Sequence, residues 1–187
     1  MSRMIDALLP TLYTPRLTVR PLTLADAPAF TAYHNDPELA LYQSWDMPYP
    51  LEQAKAHARE MQAAPSLRED WSTLMLSADG LTLGNLSLRL TGHRTAEIGF
   101  TLARAHWGKG YAAEGLSALL DWLFTQADLH RVHASLDPRN ARSEALLKRA
   151  GLRSEGCSVQ AYWHRGEWSD DAHYALLQSE WQEKHDT

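Results

Sequence analysis

A chain of 187 residues with 44% hydrophobic and 22% charged side chains is long enough to bury one sizeable core as a single domain over 1–187, without disulfides or a structural metal. Its ordinary composition excludes fibrous and low-complexity classes. A formal charge of −5 with dispersed basic residues argues against a broad nucleic-acid surface.

In chain order, Met1–Pro10 lacks the long apolar core of a signal peptide, and no segment is long enough to span a membrane, so the expected location is cytoplasmic. Arg16–Arg20 alternates polar and apolar residues as an opening strand. Thr23 or Asp26 caps a predicted helix reaching about His34, and Leu51–Met61 is a second helix. Strands are predicted at Trp71–Leu76, Leu83–Leu90 and Thr95–Leu102, with Asp79-Gly80 and Gly92-His93-Arg94 as tight antiparallel turns. Ala112, Leu116, Leu119, Leu120, Leu123 and Ala127 then mark one apolar face of a helix. A strand at Arg131–Leu136 follows, and Asp137-Pro138 offers a cap for a short helix ending near Gly151. Two last strands, Arg153–Trp163 and Glu167–Leu177, pair around His164-Arg165-Gly166. Cys157 has no cysteine partner and no motif to activate it, so a small buried or half-buried side chain is expected. The nine histidines show no paired zinc spacing, so no metal is expected.

The stretch Gly108-Lys109-Gly110-Tyr111-Ala112-Ala113 carries the functional signal, because it opens the strongly periodic helix. The first amides of a helix lack intrahelical partners and sit at its positive dipole end, which makes them a seat for pyrophosphate. Gly108-x-Gly110-x-x-Ala113 formally fits a relaxed dinucleotide fingerprint. However, five residues, Ala103 to Trp107, separate it from the strand, and the chain after Asp137 is too short to complete a doubly wound sheet. A nucleotide-hydrolysing phosphate loop would need Ser or Thr after the lysine, where Gly110 stands.

The element order is a mixed α/β one. Three stretches, Glu97–Leu102, Trp107–Glu114, and Asn140-Ala141-Arg142-Ser143 leading to Arg149-Ala150-Gly151-Leu152, stand in series behind Pro15-Arg16-Leu17. In these stretches and their order the chain resembles the GNAT superfamily of acetyl-coenzyme A dependent N-acetyltransferases, and within it the RimJ/RimL branch. The resemblance implies a mixed, mostly antiparallel central sheet flanked by helices, with acetyl-CoA as acyl donor. Phe100, Thr101 and Leu102 would then line the pantetheine arm. The amides of Gly108, Lys109, Gly110, Tyr111, Ala112 and Ala113 would hold pyrophosphate, and Asn140 and Ser143 would approach the thioester. Trp107 stands where the wider superfamily often has Arg or Gln.

Acetyl transfer to an amine needs a neutral nucleophile, an acid for the departing thiolate and donors for the oxyanion. Glu97 is the leading carboxylate for the amine proton, sharing a strand face with Gly99 and Thr101, and Ser143 is the acid-side candidate. Tyr162 stands near the place where ribosomal-protein acetylating relatives can carry a glutamate, which weakens transfer of that substrate to this chain. Tyr42, Trp45 and Tyr162, with Tyr49, Trp163 and Trp168, are candidates for an aromatic acceptor groove, and Asp46, Asp170 or Asp171 for attracting a cationic amine. The expected acceptor is a peptide N-terminus or a small-molecule amine, and the expected assembly a monomer or homodimer. A noncatalytic acyl-CoA-binding sensor on the same fold is the second reading, and a nicotinamide-dependent enzyme the third.

Overall fold

The computed structural model describes residues 7–185, so the first six residues of the Met1–Pro10 segment lie outside the described residues. The elements are β1 (Leu12–Tyr13), β2 (Thr18–Pro21), α1 (Ala27–His34), α2 (Pro37–Ala40), α3 (Leu51–Ala63), β3 (Ser72–Ala78), β4 (Leu81–Gly92) and β5 (Thr95–Leu102). They continue as α4 (Tyr111–Thr125), β6 (Arg131–Leu136), α5 (Ala141–Arg149), β7 (Arg153–His164), β8 (Glu167–Leu177) and α6 (Gln178–His185). The strands form one sheet in the order β1-β2-β3-β4-β5-β6-β8-β7, antiparallel except for the β5–β6 pair. This is the mixed, mostly antiparallel sheet that the resemblance implied.

Helices cover both faces. Leu116, Leu119, Leu120 and Leu123 of α4 are buried, each contributing about 2 kcal/mol of apolar burial. Gly115 lets α4 settle onto this face, because a Cβ there would meet Leu76 Cδ2 at 2.5 Å. On the opposite face α1 and α3 reach the sheet through polar contacts. Tyr33 Oη donates to Asn85 Oδ1 (2.8 Å), and His57 Nε2 lies 2.9 Å from Thr73 Oγ1.

Three elements were not anticipated. The two residues of β1 and the four of α2, capped by Asp36 with Pro37 behind it, are too short to show a period. In α6 the one large apolar residue is Trp181, which docks by donating its indole N–H to Asp121 (3.0 Å).

Two expectations are corrected. Asp137-Pro138 does not cap α5: the Asp137 carboxylate accepts the Arg139 amide (2.9 Å) and pairs with its guanidinium, closing a separate turn. Asn140 is the cap instead, its Oδ1 accepting the Ser143 amide at 3.2 Å. Cys157 is exposed rather than buried or half-buried, because β7 ends the sheet, pairs with β8 alone and is exposed from Arg153 to Trp163.

The sheet is split at its parallel pair. The β5–β6 register runs from Thr95↔Arg131 to Glu97↔His133 and stops. Beyond it β5 continues to Leu102 against β4, and β6 to Leu136 against β8. The two strands therefore part from Ile98 and Ala134 onward, leaving a fork. On the β4 side of the mouth, Gly84 permits a close backbone approach, since a Cβ there would meet Thr101 O at 2.2 Å and Leu102 Cα at 2.8 Å.

Candidate active site

The glycine loop stands beside the mouth of the fork. Gly108 (φ 74°) and Gly110 (φ 81°) occupy the left-handed region, which turns the chain sharply into α4. The Glu114 amide makes the first turn's bond, to Gly110 O at 3.1 Å, so the amides of Tyr111, Ala112 and Ala113 precede the helical ladder at its positive end.

A clamp from the other end of the chain holds this loop. Arg16 Nε donates to Glu114 Oε2 (2.6 Å), and its Nη1 donates to Lys109 O (2.8 Å). The Arg16 guanidinium also lies over the Tyr111 ring at 4.8 Å. The Thr14 hydroxyl (2.6 Å) and the Arg16 amide (2.9 Å) complete the set on Glu114 Oε1. Burial pushes the Glu114 carboxyl upward, but the Thr14 and Arg16 hydrogen bonds prevail and hold it below its usual value. The sequence displayed both partners, Arg16 in Pro15-Arg16-Leu17 and Glu114 after the loop, without showing that they meet.

Trp107 gives the loop a second brace. Its indole N–H donates to Leu102 O at 2.7 Å, and Arg142 of α5 stacks over its ring at 4.3 Å. The tryptophan thus ties the end of β5, the loop and α5 together. Lys109 is exposed on the loop itself.

Phe100, Thr101 and Leu102 form the β5 side of the fork. Register on β4 assigns Leu102↔Gly84, Thr101↔Asn85 and Phe100↔Leu86, and β6 does not pair with these residues. Glu97 is the last β5 residue paired with β6, on the face that carries Gly99 and Thr101, as strand alternation required. Arg89 places both its bonds on Glu97 Oε2, at 2.9 and 2.7 Å, and lies over the Trp71 ring at 4.7 Å. Oε1 is the carboxylate oxygen that carries neither bond. Opposite Glu97, burial lowers the pKa of His133, whose Nε2 lies 2.9 Å from Thr91 Oγ1.

Asn140 and Ser143 sit together at the start of α5, the first capping and the second in the opening turn. The aromatic candidates are only partly brought together. Trp45 is half-buried, donating its indole N–H to His34 O (2.9 Å), with its ring tilted at 47° against the His34 ring at 4.2 Å. Tyr49 is buried in the core. Trp163 and Trp168 pair edge to face at 5.2 Å, both exposed, and Tyr162 is exposed beside them. The β7–β8 hairpin nevertheless reaches the early loop, with Arg165 Nη2 3.3 Å from Trp45 O. Arg139 also spans the two, bonded to Glu167 at 3.0 Å and 6.0 Å from the Tyr42 ring. Asp170 is occupied by the Gln160 amide at 2.8 Å, while Asp171 lies 3.9 Å from His173. Among the described residues no group of three or more His, Cys, Asp or Glu is arranged to hold a metal, and no helix is long and apolar enough to cross a membrane.

A sheet parted between two parallel strands, with an anion-ready helix start beside the opening, defines a coenzyme A dependent acyltransferase architecture. Residues 16–153 match the acetyltransferase (GNAT) domain, and the chain belongs to that family. It is 30% identical over 175 residues to an uncharacterized N-acetyltransferase, p20, of Bacillus licheniformis, covering 91% of this chain and 98% of the relative. RimJ of Mycobacterium smegmatis, solved in complex with a CoA disulfide, superposes with a TM-score of 0.76 at 25% identity, covering 88% of this chain and 83% of RimJ. The spermidine N-acetyltransferase of Vibrio cholerae, solved with CoA and spermine, shares the fold at a TM-score of 0.78 and 22% identity, covering 90% and 99%. The chain is therefore a GNAT acyltransferase of the RimJ/RimL-like branch, with acetyl-CoA as its cosubstrate.

Proposed function

We propose that this protein transfers the acetyl group of acetyl-CoA directly to a primary amine, a peptide or protein N-terminus or a small-molecule amine, within a ternary complex. The observation that carries this reading is the placement of the glycine loop, with its unladdered amides, beside a fork that begins at Glu97 and His133. In this reading the amides of the Gly108 to Ala113 loop hold the pyrophosphate, and Phe100, Thr101 and Leu102 hold the pantetheine arm in the fork. Acetyl-CoA supplies the activated acyl group as a thioester.

The chain's own groups then act on protons and charge. A β5 backbone amide near Thr101 or Leu102 donates to the carbonyl oxygen as it becomes an oxyanion. Glu97 accepts the amine proton through water, using the Oε1 oxygen that Arg89 leaves free. Arg89, bonded twice to Oε2, fixes the orientation of the Glu97 carboxylate. Ser143, at the start of α5, donates to the departing thiolate or orders the water that does. Tyr42, Trp45 and Tyr162 form the outer wall of the acceptor site, where Arg165 and Arg139 draw the hairpin and the early loop together.

Proton transfers of this kind contribute about 10² to 10⁴ in rate. Glu97→Gln, which keeps an oxygen for Arg89, and Ser143→Ala should each lower kcat by about 10² or more, with acetyl-CoA affinity near that of the wild type. Stopped-flow turnover and calorimetric titration with acetyl-CoA test this. Wild-type turnover in both variants would remove the two assignments and leave water and strand backbone as the agents.

A further inference from the structure

We propose that Ser87 and Gly99 form an acceptor subsite that selects amines bearing a hydrogen-bond-accepting oxygen beside the amino group, as a peptide N-terminus does, over polyamines. This rests on the acetyltransferase reading above.

Gly99 has no structural need to be glycine. Its backbone lies outside the left-handed region, and a Cβ there would meet Ser87 Cβ alone, at 3.8 Å, an ordinary contact. Gly84 and Gly115 are different, since a Cβ at either would run into Thr101 O or Leu76 Cδ2. The side chain missing at Gly99 is therefore space that the fold leaves unused. That space lies two residues past Glu97, the last rung joining β5 to β6, and on the face where Glu97 stands. Ser87 faces Gly99 directly from β4.

An oriented chain of hydrogen bonds ends at this place. The Tyr33 phenol is buried, and burial holds its pKa well above the ordinary value, so its proton stays and is donated to Asn85 Oδ1 at 2.8 Å. With its oxygen committed to Tyr33, the Asn85 amide turns its nitrogen toward Ser87 and donates to Oγ at 3.0 Å. The hydroxyl proton of Ser87 cannot point at that N–H. It is left to donate elsewhere, and the open floor above Gly99 is beside it.

A fixed donor next to a thioester site recognises a lone pair on the acceptor. In an α-amino carbonyl the oxygen lies within hydrogen-bond reach of the reacting nitrogen, so one acceptor can satisfy Ser87 while presenting its amine. A polyamine offers only methylene or a further protonated nitrogen at that distance, leaving the Ser87 proton unpaired or facing a like donor. Sites built to hydrogen-bond a substrate group reject analogues lacking it more strongly than apolar pockets reject a missing methylene.

The test compares a tripeptide with a free alanine N-terminus, propylamine and spermidine at equal concentrations of neutral amine, following free thiol from acetyl-CoA. Tripeptide binding to the protein–CoA complex is measured in parallel by calorimetry. The tripeptide should show a kcat/KM at least tenfold above both other amines. Ser87→Ala should lower that value at least tenfold and narrow the advantage. Gly99→Ala, which the fold accommodates, should raise KM for the tripeptide while leaving Tm and coenzyme affinity in place. Spermidine equal to the tripeptide, or an unchanged ratio in Ser87→Ala, would overturn the proposal. No thiol release with any amine, together with tripeptide binding that Ser87→Ala weakens tenfold, would remove the acetyltransferase reading and leave the subsite standing. Absence of both would remove both.

Discussion

Replacing Gly110 with valine should weaken acetyl-CoA binding at least about tenfold, equivalent to about 1.4 kcal/mol. Two effects act in the same direction. Gly110 has a φ of 81°, where a β-branched residue is strained, so the turn into α4 would relax away from its present course. A Cβ at this position also meets Arg16 Nη2 at 3.2 Å, on the side chain that grips Lys109 O and Glu114. Displacing that guanidinium loosens the loop, and the valine methyls cover the amides that would receive pyrophosphate. Gly108→Ala is the graded control. Its φ of 74° carries the backbone cost, but a Cβ there meets nothing within 4 Å, so a smaller loss is expected. Calorimetric titration with acetyl-CoA, alongside thermal melts, measures both. Wild-type affinity in a folded Gly110→Val protein would move the coenzyme away from this loop.

Acid should destabilise the protein through His34, by about 3 kcal/mol between pH 6.5 and pH 4. The imidazole is buried, stacked on Phe30 at 4.0 Å and flanked by Trp45 and Tyr49. Burial is the main cause that holds its pKa down to about 4. The Phe30 carbonyl, which accepts the Nδ1 proton at 2.7 Å, opposes the shift, and His57 adds to it. Because the folded pKa is below the unfolded value, the unfolded chain takes up the proton first as pH falls. The stability is complete above about pH 6.5 and is lost on the way down to about pH 4. His57 and His133, also lowered by burial, act with the same sign. Urea unfolding at pH 7 and pH 4.5 should therefore show a large loss for the wild type and a visibly smaller one for His34→Leu. Parallel pH dependence in the two proteins would show that His34 does not carry the effect. The Trp45 indole packs at a tilt against this imidazole and donates to the His34 backbone carbonyl, so the early loop should loosen first.

The elements that sequence revealed were those with a local signature. Asp79 and Gly80 (φ 49° and 78°) announced the β3–β4 hairpin, and the leucine spacing of α4 announced its buried face. The glycine loop was legible because left-handed turns and helix starts draw on few residue types. Other features depended on contacts distant in sequence. The Arg16–Glu114 clamp joins residues 98 apart. The fork depends on where the β5–β6 pairing ends, and alternation along each strand looks the same whether its neighbour is bonded or parted. Cys157 was misread for a related reason, since a terminal strand carries the same local pattern as a covered one. Asp137-Pro138 reads as a helix start by composition, yet Arg139 claims its carboxylate and Asn140, three residues on, takes the cap.

Direct acetyl transfer is tested most plainly by incubating the purified protein with acetyl-CoA and a tripeptide bearing a free α-amino group, following free thiol and the peptide's mass together. The account predicts one acetylated peptide for each thiol released, with both products falling together in Gly110→Val at acetyl-CoA concentrations below its weakened Kd. Tight coenzyme binding without thiol or acetylated product, repeated across peptides, polyamines, amino acids and aminoglycosides, would contradict it and make the chain an acyl-CoA sensor.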